Sequence, residues 1–462
     1  MNILHLHTRR KDLDMIHGPL AKKMVLFALP LAVSGMLQQL FNAADLAVVG
    51  RFSNAQAMAA VGSNASVISL MVNLFLGLSV GANVVIANLL GQGRRDKISD
   101  AVHTVIAMAL ASGGFLLVAG IFVAHPLLHL MGAPEDVMNL AVLYLRIYFL
   151  GMPAIMLYNF GSAILRSKGD STRPFISLTI AGVVNVILNL FFVIGFHLHV
   201  IGVALATVLS NCLSAGMVMY FLMHEEDEFR LYPARLKFVP EYLKSVIQIG
   251  FPAGLQGVVF SISNVVIQTA VNSFGADCIA GMTAGQNFDF ISYCLLNAFT
   301  QTVVTFTSQN YGAAQPDRCK KVWKLGIGLG IGIDIVFVGL LMLAKGSLIR
   351  IFTTDPDVTY YAMIRLNYAF ALHFLCGTYE ITGGALRGMN RSMVPALICM
   401  IGTCGFRLLY VLVLFPFFHT PQMLLMVYPI TWILTGIVMN TAYFIVRKKV
   451  FAKMNVDGVR PH

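Results

Sequence analysis

Apolar residues run through this chain in long, nearly uninterrupted stretches, and polar residues gather in short clusters between them. The pattern holds from "MVLFALPLAVSGMLQQLFNAADLAVVG" at 24–50 to "LLMVYPITWILTGIVMNTAYFIV" at 424–446. A helix needs about 20 mostly apolar residues to cross the hydrocarbon core of a bilayer. Read this way, the chain predicts twelve spans, at 24–50, 57–90, 98–123, 137–164, 174–196, 200–223, 243–274, 277–310, 321–346, 357–385, 394–416 and 421–446. The expected fold is an all-α polytopic membrane protein with 12 transmembrane helices.

Composition agrees. Of the 462 residues 57% are hydrophobic and 11% charged, where soluble proteins carry about a quarter charged residues. The net charge of +11 does not point to a nucleic-acid partner, because its distribution follows the spans. Nearly all Lys and Arg fall in the tails and the even-numbered loops. The odd-numbered loops hold Arg51, Lys345 and Arg350, and Arg146, Arg365 and Arg407 lie within spans. That asymmetry predicts both termini on the cytoplasmic side. The charged opening "MNILHLHTRRKDLDMIHGPLAKK" leads into the first span, which is expected to be a retained anchor rather than a cleaved leader. The seven cysteines are scattered without a CxxC spacing and are expected to be packing residues.

The chain divides into two similar units, 24–223 and 243–447, flanked by tails 1–23 and 448–462. "LRSKGDSTRP" (165–174) answers "LRGMNRSMVP" (386–395), and "ANLLGQGRRDK" (87–97) answers "SQNYGAAQPDR" (308–318). Pro30 answers Pro252, and Asn42 answers Asn264. With six spans each, both units insert the same way up, which predicts two pseudo-symmetric six-helix bundles, an N-lobe and a C-lobe. The join "HEEDEFRLYPARLKFVPEY" (224–242) reads as a polar linker whose acidic run is solvated. Two facing lobes suit alternating access. No phosphate loop of the GxxxxGK[ST] type occurs, and "GIGLGIG" (326–332) lies inside an apolar span, where glycines serve helix packing. Transport would then draw on an ion gradient or be passive.

Asp45, Asp289, Asp334 and Glu380 lie within spans, where a charge costs roughly 2.5–3.5 kcal/mol at the bilayer centre. Each needs a partner, a proton or water. Asp45 has oxygen-bearing companions on its own lobe. These are Asn42 three residues back, Asn185 and Asn189 at i, i+4 on the fifth span, Asn159 on the fourth and Thr207 on the sixth. Such a set is expected to bind H⁺ or Na⁺. An interfacial charge near Arg51 is the simpler alternative.

In the second unit Glu380 and Arg407 are expected to form a buried pair, as a clamp or as a switch. Asp289, beside Gln286, Asn287 and Tyr293, is expected to line a cavity for cationic substrates. Asp334 has no evident companion beyond a helix–helix hydrogen bond. Arg146 and Arg365 stand close enough to the span ends to snorkel. His103 and His373 read as packing residues, with titration the alternative.

The pieces "ALPLAVSGMLQQLFNAADLAVVGRFSNAQAMAAVG", "NLLGQGRRDK", "LRSKGDSTRP", "IGVALATVLSN" and "GALRGMNRSMVP" together resemble the multidrug and toxic compound extrusion (MATE) family over residues 20–448. The pattern is similar to the bacterial DinF-like branch, in which a first-helix Asp anchors a cation site in the N-lobe. The resemblance places Asp45 there, with Asn185, Asn189 and Thr207 around it as the possible Na⁺ ligands. That branch often carries Asp where Asn189 stands, so this site has one negative charge fewer. The NorM-like branch has an acidic residue on the seventh helix, but "FPAGLQGVVFSISN" offers Phe260 near that place.

The resemblance implies a secondary antiporter in the bacterial cytoplasmic membrane. It would export cationic or amphipathic organic compounds in exchange for H⁺ or Na⁺, with no cofactor, as a monomer. A flippase for lipid-linked saccharides is the rival, and it would want a more cationic cavity than three span-embedded arginines provide. An intramembrane enzyme would need an HExxH or paired-aspartate spacing that the chain lacks, so no enzyme is expected. A passive channel fits poorly with two lobes and polar-poor spans.

Overall fold

Proline, glycine and aspartate set the helix boundaries. Pro240, Pro316, Pro356 and Pro421 open helices, where a missing N–H costs nothing and φ is already helical. Asp355 caps the helix from Pro356 by accepting from the N–H groups of Asp357 and Val358. Gly169, at φ 110°, closes another in the left-handed conformation that glycine tolerates. The computed structural model describes residues 13–52, 55–130 and 135–457, and helices are the only regular structure among the described residues. The outermost parts of the expected tails, 1–12 and 458–462, lie outside them.

The elements are α1 (Leu20–Phe52), α2 (Ala55–Gly91), α3 (Arg95–Leu130), α4 (Glu135–Leu150), α5 (Met152–Lys168), α6 (Thr172–Leu190), α7 (His199–Met223), α8 (Pro240–Asn272), α9 (Ala276–Gly312), α10 (Pro316–Phe352), α11 (Pro356–Tyr368), α12 (Phe374–Gly388), α13 (Met393–Cys399), α14 (Phe406–Leu409) and α15 (Pro421–Asp457). They make twelve spans, because three spans are interrupted. α4 and α5 form one span bent by 47°, with Gly151 at the bend and Pro153 unable to donate across it. α11 and α12 form the tenth, broken by a 3₁₀ turn at Phe370–Leu372. α13 and α14 belong to the eleventh, with widened π turns at Met400–Gly405 and Tyr410–Leu414.

Nine helices among the described residues are long and apolar enough to cross a membrane, and the bent pair makes a tenth. The other two spans, α9 and the broken α11–α12, are not. α9 packs against α1, α2, α10, α11 and α12, so most polar residues of its second half, from Thr300 to Asn310, are buried against protein, which removes the need for an apolar surface there.

The two lobes, α1–α7 and α8–α15, exchange their first half-helices. Leu20, Met24, Phe27 and Ala28 of α1 lie in one core with Leu296, Phe299, Phe306 and Tyr443 of the C-lobe. Conversely, Tyr242, Val246 and Ile249 of α8 lie in the N-lobe core with Ile98, Val102 and Val105. Pro30 and Pro252 stand inside these two helices.

α2 and α8 cross through glycines. A Cβ on Gly77 would stand 2.1 Å from the Gly254 nitrogen, and one on Gly81 2.4 Å from the Val246 oxygen. Gly250 and Gly254 are equally tight against Leu78 and Leu74. "GLSVG" (77–81) and "GFPAG" (250–254) are the small-xxx-small pattern that lets membrane helices touch backbone to backbone. Nearer the end bearing the basic loops, a Cβ on Gly91 would meet the Gln309 oxygen at 2.0 Å and one on Gly312 the Asn88 oxygen at 2.2 Å. The two matching sequence pieces therefore face each other. Gln309 Nε2 donates to the Ser167 carbonyl at 2.7 Å.

Further inter-lobe hydrogen bonds are Asn73–Ser261 near mid-depth and Thr305–Asn83 closer to that basic end. The lobes are joined on the basic side. There Met15 is fully buried, and its carbonyl accepts from Asn310 and Arg318, while Gly169 of the N-lobe packs on Leu13.

Most of the linker is exposed, as its polar sequence predicts, but one member of its acidic run departs from that reading. Glu225 is buried. It pairs with Lys168 at 2.6 Å and Arg173 at 2.5 Å, because both cations end helices beneath it. Tyr232 and Val239 donate their N–H groups to His103 Nε2 and Thr104 Oγ1, which fixes the linker to α3.

Candidate functional site

The outer half of α1 returns to the N-lobe along α6. Gly182 admits the Phe41 ring, which stands where a Cβ would be. One turn further on, Asn189 donates Nδ2 to Asp45 Oδ1. The same amide donates to Asn185 Oδ1 at 3.2 Å, and Asn185 Nδ2 reaches Ser210 Oγ of α7 at 3.4 Å. Asn189 and Asn185 are buried. No Lys, Arg or His pairs with Asp45 among the described residues. Tyr144 and Tyr148 of α4 lie within electrostatic reach of it. Asn189 Oδ1 is buried without a hydrogen-bond partner, an orphan that ordinarily costs about 1–3 kcal/mol.

The structure brings together Asp45, Asn189 and Asn185 of the expected set, and not the others by hydrogen bond. Asn42 is exposed and makes no side-chain hydrogen bond among the described residues. Three helical residues turn the chain by 300°, so Asn42 stands about 60° off the face that Asp45 presents to α6. Asn159 bonds the Ile155 carbonyl, and Thr207 the Val203 carbonyl, each on its own helix. Ser210 is the member that sequence reading missed. It stands three residues beyond Thr207, and nothing in the local pattern marks it.

The C-lobe charges pair differently from expectation. Glu380 and Arg407 form no ion pair among the described residues. Arg407, fully buried, lies over the rings of Tyr428 at 4.7 Å and Phe260 at 5.1 Å. It bonds Thr431 Oγ1 at 3.4 Å and leaves an NH1 group unpartnered. Arg387, two turns along α12, lies within electrostatic reach of Glu380 and donates to Gln256 of α8 at 2.7 Å.

Asp289 is not an open cavity carboxylate. Arg365 NH2 sits 2.6 Å from its Oδ2, with Nε at 2.8 Å, and Gly285 makes room for that arginine. Arg365 is accordingly buried rather than snorkelling, whereas Arg146 at the related place is exposed. Among the described residues no hydrogen bond joins Gln286 or Tyr293 to Asp289, and Tyr293 is exposed. Asp334 does have companions. Ser292 of α9 donates to its Oδ1, and His373 Nδ1 stands 3.2 Å from its Oδ2.

The MatE family model matches residues 30–191 and 252–413, one stretch in each lobe. The chain is 27% identical over 393 residues to the probable multidrug resistance protein YoeA of Bacillus subtilis, covering 83% of this chain and 84% of that one. It is 23% identical to a FAD transporter of Shewanella oneidensis, covering 92% and 94%. Its fold matches an outward-facing multidrug resistance MATE transporter of the MOP superfamily at a TM-score of 0.86 and 20% identity, over 96% and 98% of the two chains. With each half of the chain matched in turn and the twelve-helix, two-lobe fold shared, the chain belongs to the MatE family of multi-pass membrane transporters.

Proposed function

We propose that the protein is a secondary antiporter that exports cationic or amphipathic organic compounds, with Asp45 carrying the coupling ion. The observation behind this reading is a carboxylate with no cationic partner, held between α1 and α6 by amides. A lone carboxylate at membrane depth is stable only with a proton, a cation or water. The orphaned Asn189 Oδ1 beside it suits a bound cation, and the Asn185 amide oxygen extends the set. One carboxylate and amides suit H⁺ directly, and suit Na⁺ with water completing its shell.

The basic side is taken as cytoplasmic by the positive-inside rule, within the bacterial inner membrane, with a monomer sufficient for the work. The lobes are then closed inward, and ion binding at Asp45 from outside would bias the α1–α6 contact toward drug release. Drug and ion need only favour different states of one two-state element.

Efflux of ethidium from proteoliposomes tests this, with wild type and Asp45→Asn compared under separately imposed H⁺ and Na⁺ gradients. Efflux driven by one gradient and lost in the variant supports the reading and identifies the ion. Equal efflux in both proteins refutes it. The flippase reading gains little support, because Arg365 is neutralised by Asp289 and Arg146, among the described residues, bonds the Ile121 carbonyl.

A further inference from the structure

We propose that Asp334, His373 and Ser292 form a second proton-binding site, in the C-lobe, at the break in the tenth span. The inference rests on the antiport reading for its place in transport, but not for its chemistry.

Three spans supply the three groups. Asp334 (α10) is wholly buried and His373 nearly so, at 0% and 4% side-chain exposure. Ser292 (α9) donates to one carboxylate oxygen, and His373 stands against the other. The His373 ring is walled by Trp432, edge-on at 5.8 Å, and by Phe370. With one proton on the pair, the cluster is neutral overall, as carboxylate with imidazolium or as carboxylic acid with imidazole. Without it, one negative charge remains in a site with no Lys or Arg in ion-pair reach among the described residues. Proton loss and gain therefore change the charge of this lobe by one unit.

Other charged or titratable groups stand on every packed element. Asp289 of α9 is held by Arg365 of α11. Cys376, Tyr379 and Glu380 lie on α12, with Arg407 on α14 and Tyr428 on α15. Of these, Cys376 is within electrostatic reach of Asp334. Neither arginine forms an ion pair with Asp334 among the described residues, since Arg365 is paired with Asp289 and Arg407 is held over the rings of Tyr428 and Phe260.

Placement gives the proton mechanical purchase. His373 is the last residue before α12. Its N–H donates to the Phe370 carbonyl, and its own carbonyl accepts from Cys376. Discontinuous helices are where membrane transporters bind coupling ions, since freed backbone and side chain move together. A change in the Asp334–His373 hydrogen bond is transmitted to the first turn of α12. That helix carries Arg387 to Gln256 on α8, the helix that crosses α2. No bond other than O–H or N–H forms or breaks. One proton enters the pair, and one leaves it to water.

The test uses the full-length protein in lipid. pH-difference infrared spectra, taken over about pH 5 to 9 to bracket imidazole titration, are compared for wild type, Asp334→Asn, His373→Gln and Ser292→Ala. A carboxylic-acid band that titrates in wild type, vanishes in Asp334→Asn and moves in the other two is the expected result. A spectrum in which Asp334→Asn removes no titrating band overturns the proposal. If Asp334→Asn fails to fold, ¹⁵N-histidine spectra of wild type decide, because His373 must titrate or change tautomer with pH.

In proteoliposomes, reversal potentials should show one proton fewer per cycle for Asp334→Asn and His373→Gln, and unchanged stoichiometry overturns the role in transport. Coupled flux that survives Asp45→Asn would sink the N-lobe reading alone, and the infrared result would still decide this one.

Discussion

Asn189 donates its amide to Asp45 across the contact between the first and fifth spans, and its own carbonyl oxygen stays buried without a partner. This pairing leaves the carboxylate's charge in place. An amide partner orients a carboxylate without neutralising it, whereas an arginine, as at Asp289, does both. Asn189→Leu should therefore leave the fold intact and reduce gradient-driven efflux by about tenfold or more, as loss of one oriented hydrogen bond to a charged group is worth about 1.5–3 kcal/mol. Asn189→Asp should instead add a second carboxylate and raise Na⁺ affinity, read as Na⁺ stimulation of transport at constant pH.

The Phe41–Gly182 contact sets the spacing on which that hydrogen bond depends. An added Cβ at Gly182 would fall inside the ring, so Gly182→Ala must displace Phe41 or the helix. The expected cost is about 1–3 kcal/mol, seen as a lower unfolding temperature together with weakened coupling. Phe41→Leu in the same protein should restore much of both. Failure of the second change to rescue would mean that Gly182 serves some other contact.

Much of this architecture could be read from the sequence, and the failures have physical causes. All twelve spans were legible, ten of them as long apolar runs, although α9 and the broken α11–α12 fall short of that measure. The exchange of half-helices was not, since Met24 and Phe27 read as apolar whichever lobe they enter. Glu380 and Arg407 looked like partners because their spans are consecutive, yet Arg407 found Tyr428 and Phe260. Asp289 and Arg365 are 76 positions apart, and only the packing of α11 on α9 brings them together. The glycine pairs "GLSVG" and "GFPAG" were visible, and their repetition in both halves is the signal that would have located the lobe contact.

Those glycines make a prediction about conformation. Gly77→Val and Gly254→Val would each place side-chain carbons inside the partner backbone, at sites where even a Cβ stands 2.1–2.2 Å from it. The lobes should part on the basic side while each keeps its own core. Spin-label distances between the α2 and α9 ends near Gly93 and Ala314 should lengthen in the variants. Distances within one lobe should not change. Equal lengthening in both would indicate general unfolding rather than opening.

The Asp289–Arg365 pair tests whether the C-lobe charges hold structure or bind substrate. Removing one member of a buried pair strands the other and typically costs about 3–5 kcal/mol. Arg365→Met and Asp289→Leu should each lower the unfolding temperature sharply. The double variant should recover most of the loss, because no uncompensated charge remains. If the pair is structural, the double variant will also transport at near wild-type rates. Should it be stable but unable to move any cationic substrate, then Asp289 exchanges Arg365 for substrate during the cycle, and its ion pair is the resting state of a binding site.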